Sequence, residues 1–131
     1  MNELSPSRED YLKTIFLLSQ LNHVVRVKDI SQKLGVKPAS VINIVKALSK
    51  NGFVIHEHYG YIELTEQGEK EALIVLRKYK ILFDFFQSIL GLSSEEAYEN
   101  ACSIEHYITD NALKAIEKIN RNLKKNKKVY E

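Results

Sequence analysis

Cys102, Glu105 and His106 are the residues of this 131-residue sequence whose types and spacing could do chemistry. Positions i, i+3 and i+4 of a helix lie on one face, so thiol, carboxylate and imidazole would project together. Such a mixture suits first-row transition metals, whereas magnesium and calcium prefer oxygen ligands. Three ligands on one turn leave positions open, and Asp10 is a candidate fourth ligand. The alternative is a half-buried cysteine beside a solvated Glu-His pair.

The same residues could also form a nucleophilic pair of Cys102 and His106. Such a pair needs a third group that orients the imidazole and a device that stabilises an oxyanion. The sequence shows no obvious example of either. We therefore expect no enzyme, no catalytic residue and no small-molecule substrate.

A second set of residues lies between Arg26 and Lys50, where six basic residues accompany one acid, Asp29. A basic surface attracts the phosphate backbone of nucleic acids, although a solvated helix face has the same composition. A helix beginning at Pro38 would expose small, amide, hydroxyl and lysine side chains, which suit the major groove. The predicted DNA-binding residues are Arg26, Lys28, Lys37, Pro38, Ala39, Ser40, Asn43, Lys46 and Tyr59. A trihelical packing module is the alternative.

Composition excludes several classes of protein. No apolar run approaches the roughly 18 uncharged residues that a membrane helix needs. The N-terminus is polar and partly acidic, unlike a secretory signal, and a single cysteine cannot form an internal disulfide. We expect a soluble cytoplasmic protein with no membrane partner.

The N-terminal half carries the start and stop signals of three helices. Pro6 and Pro38 suit first helical positions, and Gly35 suits a helix end. The predicted helices run from Pro6 to about Leu21, from Val27 to Leu34, and from Pro38 to near Gly52. Residues 53–64 contain two strand-like runs around Gly60. A hairpin directly after a helix-turn-helix predicts a winged helix.

The C-terminal half predicts three further helices. A long apolar helix opens at residues 65–68 and continues to about Leu90, where Gly91 ends it. Ser93 and Glu96 form the capping box of a fifth helix, predicted from about Ser94 to Ile108. A sixth runs from Asp110 to about Asn122, and the lysine-rich tail 124–128 is expected to fray.

Five motifs together resemble one family. They are Ser-x-Glu-Asp-Tyr-Leu-x-x-Ile-Phe in helix one, Val-x-Asp-Ile-Ser-x-x-Leu-Gly-Val in helix two, Pro-Ala-Ser-Val-x-x-x-Val-x-x-Leu in helix three, Leu-Thr-x-x-Gly at 64–68, and Glu-Ala-Tyr-Glu-Asn-Ala-Cys-x-x-Glu-His at 96–106. Nearly the whole chain resembles the diphtheria-toxin-repressor and manganese-transport-regulator group of metal-dependent transcriptional repressors. Within this group, the chain resembles the short form, which lacks the SH3-like domain.

The resemblance implies one activating metal site, formed by Asp10, Cys102, Glu105 and His106. The implied cofactor is one divalent transition metal per chain, iron(II) or manganese(II). The thiolate favours iron, whereas the hard carboxylate at position 10 weakens that preference. The family's second-site positions hold Lys13 or Tyr79, Phe83 and Tyr98, which are not normal ligands of divalent cations. We therefore expect no second metal nearby.

The resemblance also implies a mainly α fold, with a winged helix-turn-helix DNA-binding domain at 1–70 and a helical metal-binding and dimerisation domain at 71–131. Phe83, Phe85 and Phe86 cannot all face one core stripe, so we expect some of them in a twofold interface. The predicted function is a homodimeric repressor that binds a double-stranded DNA operator and controls metal-homeostasis genes. The alternatives are a winged-helix regulator that has lost metal control and a dimerisation module that does not bind DNA.

Overall fold

The structure, a computed structural model, describes residues 6–22, 24–57 and 60–130, with side chains described from Ser7 to Lys124 within these ranges. Backbone contacts divide the chain into two units, Met1–Ile74 and Val75–Glu131. Each unit has its own cluster of buried hydrophobic side chains. No helix within the described residues is long and apolar enough to cross a membrane.

The first unit is the winged helix-turn-helix that the sequence predicts. Its elements are α1 (Pro6–Leu21), β1 (Val25–Arg26), α2 (Val27–Leu34), α3 (Pro38–Lys50), β2 (Val54–His56), β3 (Tyr61–Leu64) and the first half of α4 (Glu66–Asp84). Its core takes side chains from all of these elements. The buried residues of α3 are Val41, Val45 and Leu48, so the opposite face of α3 points to solvent.

Local chemistry explains the tight turn between α2 and α3. Gly35 adopts a positive φ of 67°, and its N–H donates to the carbonyl of Ser31 at 2.9 Å. The hydroxyl of Ser31 donates to the carbonyl of Val36 at 2.6 Å. Pro38 then occupies the first turn of α3, where no intrahelical donor is required. These contacts hold α3 directly after α2.

The sheet contains one strand, β1, that the sequence pattern does not predict. The strand order is β1-β3-β2, both pairs are antiparallel, and Val25 and Arg26 of β1 lie opposite Ile62 and Tyr61. A two-residue strand is too short to show a period of two, so only its pairing partner identifies it. The hairpin of β2 and β3 forms as predicted, whereas His58 and Tyr59 lie outside the described residues.

The second unit packs the end of α4 against α5 (Ser94–Ile104) and α6 (Asp110–Tyr130). α4 passes into a π-helical segment, Phe85–Ile89, where the N–H of Leu90 donates to the carbonyl of Phe85 at 3.1 Å. Gly91 ends this helix with a positive φ of 74°, as expected. Phe83 and Phe86 are half-buried and pack against this unit's core.

Two predicted boundaries in this unit are wrong. α5 ends at Ile104 instead of Ile108, because the N–H of Tyr107 bonds to the carbonyl of Ile104 in a tight i to i+3 turn. α6 continues to Tyr130 instead of ending near Asn122, so the backbone of the expected frayed tail is helical. Lys124, which lies past the predicted end, pairs with Asp84 of α4.

Candidate metal centre and nucleic-acid interface

The predicted metal ligands of the second unit lie at the C-terminal end of α5. The N–H of Glu105 still donates to the carbonyl of Ala101 at 3.0 Å, and Glu105 keeps right-handed helical angles. Cys102 and Glu105 therefore retain the spacing of one helical turn, although Glu105 is the C-cap and His106 lies in the following turn. Cys102 is half-buried. The structure brings the ligand atoms of Glu105 and His106 together, whereas Sγ of Cys102 does not join the described ligand atoms that are close enough to share one ion.

Glu105 and His106 form a buried carboxylate and imidazole pair. Oε1 of Glu105 lies 3.5 Å from Nε2 of His106, and the two side chains are 0% and 5% exposed. This separation exceeds that of an ordinary hydrogen bond. Two ligands each about 2.1 Å from one ion lie at most about 4.2 Å apart. The pair therefore fits shared ligation of one transition-metal ion, and burial of a carboxylate is usual where it coordinates a metal.

Asp10 lies on α1 in the first unit. It is half-buried, and its Oδ1 lies 4.0 Å from Nζ of Lys13, three residues along the helix. A carboxylate oxygen is a hard ligand that suits manganese(II) and also binds iron(II). The first unit thus contributes one potential ligand of the predicted set.

An aromatic cluster occupies positions of the second unit where the resemblance would place further metal ligands. The ring centroid of Tyr79 lies 5.7 Å from that of Phe83 and 5.9 Å from that of Tyr98. The second contact has edge-to-face geometry, which is favourable for aromatic pairs. These three side chains offer apolar contact and phenol groups in place of carboxylate or imidazole ligands.

The exposed face of α3 carries the residues predicted to read DNA. Ala39, Ser40, Asn43 and Lys46 are all exposed, and so are Lys37 and Pro38 at the start of the helix. The buried residues Val41, Val45 and Leu48 lie on the other face of the helix, so α3 is amphipathic. Short side chains flank an amide and a lysine, so this face could approach base edges closely.

Arg26 and Lys28 are exposed at the start of α2. The backbone N–H of Arg26 donates to Oδ2 of Asp29 at 2.9 Å, which caps the helix. The guanidinium of Arg26 lies 5.1 Å from the ring centroid of Tyr61, and its Nη2 donates to the tyrosine hydroxyl at 3.3 Å. Tyr61 is not among the residues predicted from the sequence, because only the register of β1 and β3 places it opposite Arg26.

Comparisons with known proteins cover nearly all of the chain. Residues 3–62 match the family model described as iron dependent repressor, N-terminal DNA binding domain. Residues 65–129 match the model described as iron dependent repressor, metal binding and dimerisation domain. The two matched segments together contain all of the predicted ligands and DNA-binding residues.

Individual proteins that are similar to this chain are also transcriptional regulators. An uncharacterized HTH-type transcriptional regulator of Methanocaldococcus jannaschii is 36% identical over 115 residues, which are 87% of this chain and 92% of that protein. The HTH-type transcriptional regulator MntR of Lysinibacillus sphaericus is 34% identical over 112 residues, 86% of this chain and 80% of that protein. The structure of the manganese regulator SloR has a TM-score of 0.77 at 28% identity and covers 88% of this chain. This chain spans only 54% of that solved structure.

Proposed function

Because the chain belongs to the iron dependent repressor family of metal-dependent transcriptional regulators, we propose that it is a homodimeric repressor of metal-homeostasis genes. Its affinity for a double-stranded DNA operator would be raised by one iron(II) or manganese(II) ion per chain. The observation that carries this proposal is the buried pair of Glu105 and His106, whose ligand atoms lie 3.5 Å apart. A winged helix with an exposed reader helix supplies the DNA-binding half.

The proposed ligands are Glu105, His106, Asp10 and Cys102. The resemblance to metal-dependent repressors implies Asp10 as a further ligand, and its half-buried carboxylate lies on α1 of the first unit. Cys102 lies one helical turn before Glu105 and contributes either its sulfur or its backbone carbonyl. A thiolate ligand would favour iron(II), and a carbonyl ligand would favour manganese(II).

One ion per chain is the proposed stoichiometry. Tyr79, Phe83 and Tyr98 form an aromatic cluster, and neutral phenol and phenyl groups are poor ligands for divalent cations. Lys13 carries a positive charge that would repel a second cation close to Asp10. Both features favour a single metal.

The proposed DNA contacts divide into two kinds. On α3, Asn43 would hydrogen-bond a base edge, Ala39 would meet a thymine methyl group, and Lys46 would pair with a phosphate. Further contacts to the backbone or the groove are proposed for Arg26, Lys28, Lys37, Pro38, Ser40 and Tyr59. Two reader helices of a dimer must enter successive major grooves about 34 Å apart.

Shared ligation would explain how metal and DNA are coupled. Asp10 belongs to the DNA-binding unit, whereas Glu105 and His106 belong to the second unit. Ligands from both units on one ion would select the conformers in which the reader helices are correctly spaced, which raises DNA affinity. A coupling of this kind is typically worth about 5- to 150-fold in affinity.

Anaerobic DNA binding with and without metal tests the proposal. Duplexes are first enriched from a random-sequence pool in the presence of manganese(II), and their dissociation constants are then measured with chelator, iron(II), manganese(II), cobalt(II) and zinc(II). We expect at least a fivefold gain with iron(II) or manganese(II). His106→Ala and Asp10→Ala should lose the gain, whereas Glu99→Gln, at an exposed position of α5, should keep it.

The other outcomes are equally informative. Binding that does not change with metal or chelator would support a winged-helix regulator without metal control. No enrichment under any condition would support a dimerisation module. A thiolate-to-cobalt charge-transfer band that disappears in Cys102→Ser would assign the sulfur as a ligand, and its absence in the wild-type protein would leave the carbonyl.

A further inference from the structure

Arg26 and Tyr61 form a side-chain pair across two strands of the first unit. The two residues lie directly opposite each other in the antiparallel pair of β1 and β3. Directly opposed residues of neighbouring strands project from the same face of a sheet. Their neighbours Val25 and Ile62 are also opposed and are buried, so the pair of Arg26 and Tyr61 lies on the other, solvent-facing side.

Two contacts hold the guanidinium of Arg26 against Tyr61. It lies 5.1 Å from the ring centroid, within the range of a cation-π interaction, and its Nη2 donates to the hydroxyl at 3.3 Å. The guanidinium has five N–H donors, and its hydrogen bond to Tyr61 uses one of them. Arg26 can therefore hold its contact with the ring and still pair with an oxyanion through its other donors.

No carboxylate within the described part of the chain neutralises the charge of Arg26. Among residues 6–22, 24–57 and 60–124, the guanidinium makes no ion pair with a carboxylate. The neighbouring Asp29 accepts its hydrogen bond from the backbone N–H of Arg26. An exposed, ordered cation next to the start of α2 thus remains for a partner of negative charge.

We propose that Tyr61 is a positioning residue for DNA binding, holding the guanidinium of Arg26 in place to pair with a backbone phosphate. This inference rests on the proposed DNA-binding function and adds a residue of the wing to it. A flexible arginine loses side-chain freedom when it binds a phosphate, and pre-ordering by Tyr61 reduces that loss. Tyr61 itself need not touch the DNA.

The size of the effect follows from the strength of an exposed cation-π contact. Such a contact corresponds to about two- to fivefold in an equilibrium constant. A dimer contains two pairs, so loss of both should weaken DNA binding by about 4- to 25-fold. Loss of a phosphate contact also lowers the slope of log affinity against log salt concentration by about 0.9 per site.

The test is a double-mutant cycle on the metal-loaded dimer, using the duplexes enriched with manganese(II) and a range of salt concentrations. Arg26→Ala should weaken binding and lower the salt slope by about 1.8 per dimer. Tyr61→Leu should weaken binding by about 4- to 25-fold with the slope unchanged, because the phosphate contact persists. Tyr61→Phe, which keeps the ring, should lose less. In the Arg26→Ala background, Tyr61→Leu should have no further effect.

Controls distinguish a positioning role of Tyr61 from an effect of the substitutions on folding and from a failure of DNA binding itself. Thermal unfolding is measured for every variant. If Tyr61→Leu is poorly folded, Tyr61→Phe replaces it in the double-mutant cycle. Lys46→Ala, a separate proposed phosphate contact, should weaken binding equally with and without Tyr61→Leu. An equal loss from Tyr61→Leu in both Arg26 backgrounds, or no loss from either Tyr61 variant, overturns the positioning role alone. Failure of the wild-type protein to bind any duplex overturns the DNA-binding function as well.

Discussion

Gly68 offers a sharp test of how the wing is joined to α4. A Cβ added at Gly68 would lie 1.9 Å from the carbonyl oxygen of Phe53 and 2.9 Å from its carbonyl carbon. The same oxygen accepts the N–H of Thr65 at 3.0 Å, and the Thr65 hydroxyl donates to the carbonyl of Gly52 at 2.6 Å. These hydrogen bonds therefore hold the backbone that Gly68→Ala would displace.

The expected cost of Gly68→Ala combines three terms. At an unobstructed helical position, alanine is about 1 kcal/mol more favourable than glycine. Against this stand overpacking strain of about 3 kcal/mol, since backbone must move, and about 1 kcal/mol for the weakened hydrogen bond of Thr65. The net destabilisation is about 3 kcal/mol. For a unit of this size, that corresponds to a fall in melting temperature of about 10 °C or more.

Urea unfolding followed by circular dichroism measures this change. Lys70→Ala, at an exposed position two residues further along α4, is the control and should stay within about 0.5 kcal/mol of the wild type. Gly68→Ala should also lose DNA binding at temperatures where Lys70→Ala retains it. A Gly68→Ala protein that is as stable as the wild type, or more stable, would refute the close approach of Phe53 to this helix.

Two further predictions concern buried polar groups. Asn120 is 6% exposed, its amide donates to the carbonyl of Ile81 at 3.1 Å, and its Oδ1 makes no hydrogen bond within the described structure. Asn120→Asp should lower the free energy of unfolding by about 3 kcal/mol, because it buries a charge and removes the donor, whereas Asn120→Leu should cost far less. Equal costs in chemical denaturation would contradict this explanation. Burial raises the pKa of Tyr11 above its ordinary 10.0, so the folded state holds this proton more tightly and stability should fall as the pH rises above 10.0. Tyr11→Phe should remove that part of the pH dependence, and an unchanged profile would contradict it.

Local signals in the sequence determine much of the first unit. Proline fixes φ near its helical value and glycine tolerates a positive φ, whatever surrounds them. α1 and α3 therefore begin at Pro6 and Pro38, and α2 ends before Gly35, as predicted. The buried residues of α3 recur with helical spacing, so its exposed face was also predictable. The potential metal ligands at 102–106 follow from residue types and spacing, because one helical turn brings such residues together.

Tertiary contacts decided the rest. β1 exists only because Val25 and Arg26 pair with β3, and that register alone brings Arg26 to Tyr61. The end of α5 at Ile104 and the π-helical segment at 85–89 depend on backbone hydrogen bonds whose choice no residue type dictates. α6 continues past its predicted end, and Lys124 in that continuation pairs with Asp84, forty residues away in the sequence. Sequence patterns determine which residues can meet within one element, whereas contacts between distant elements decide which side chains meet across them.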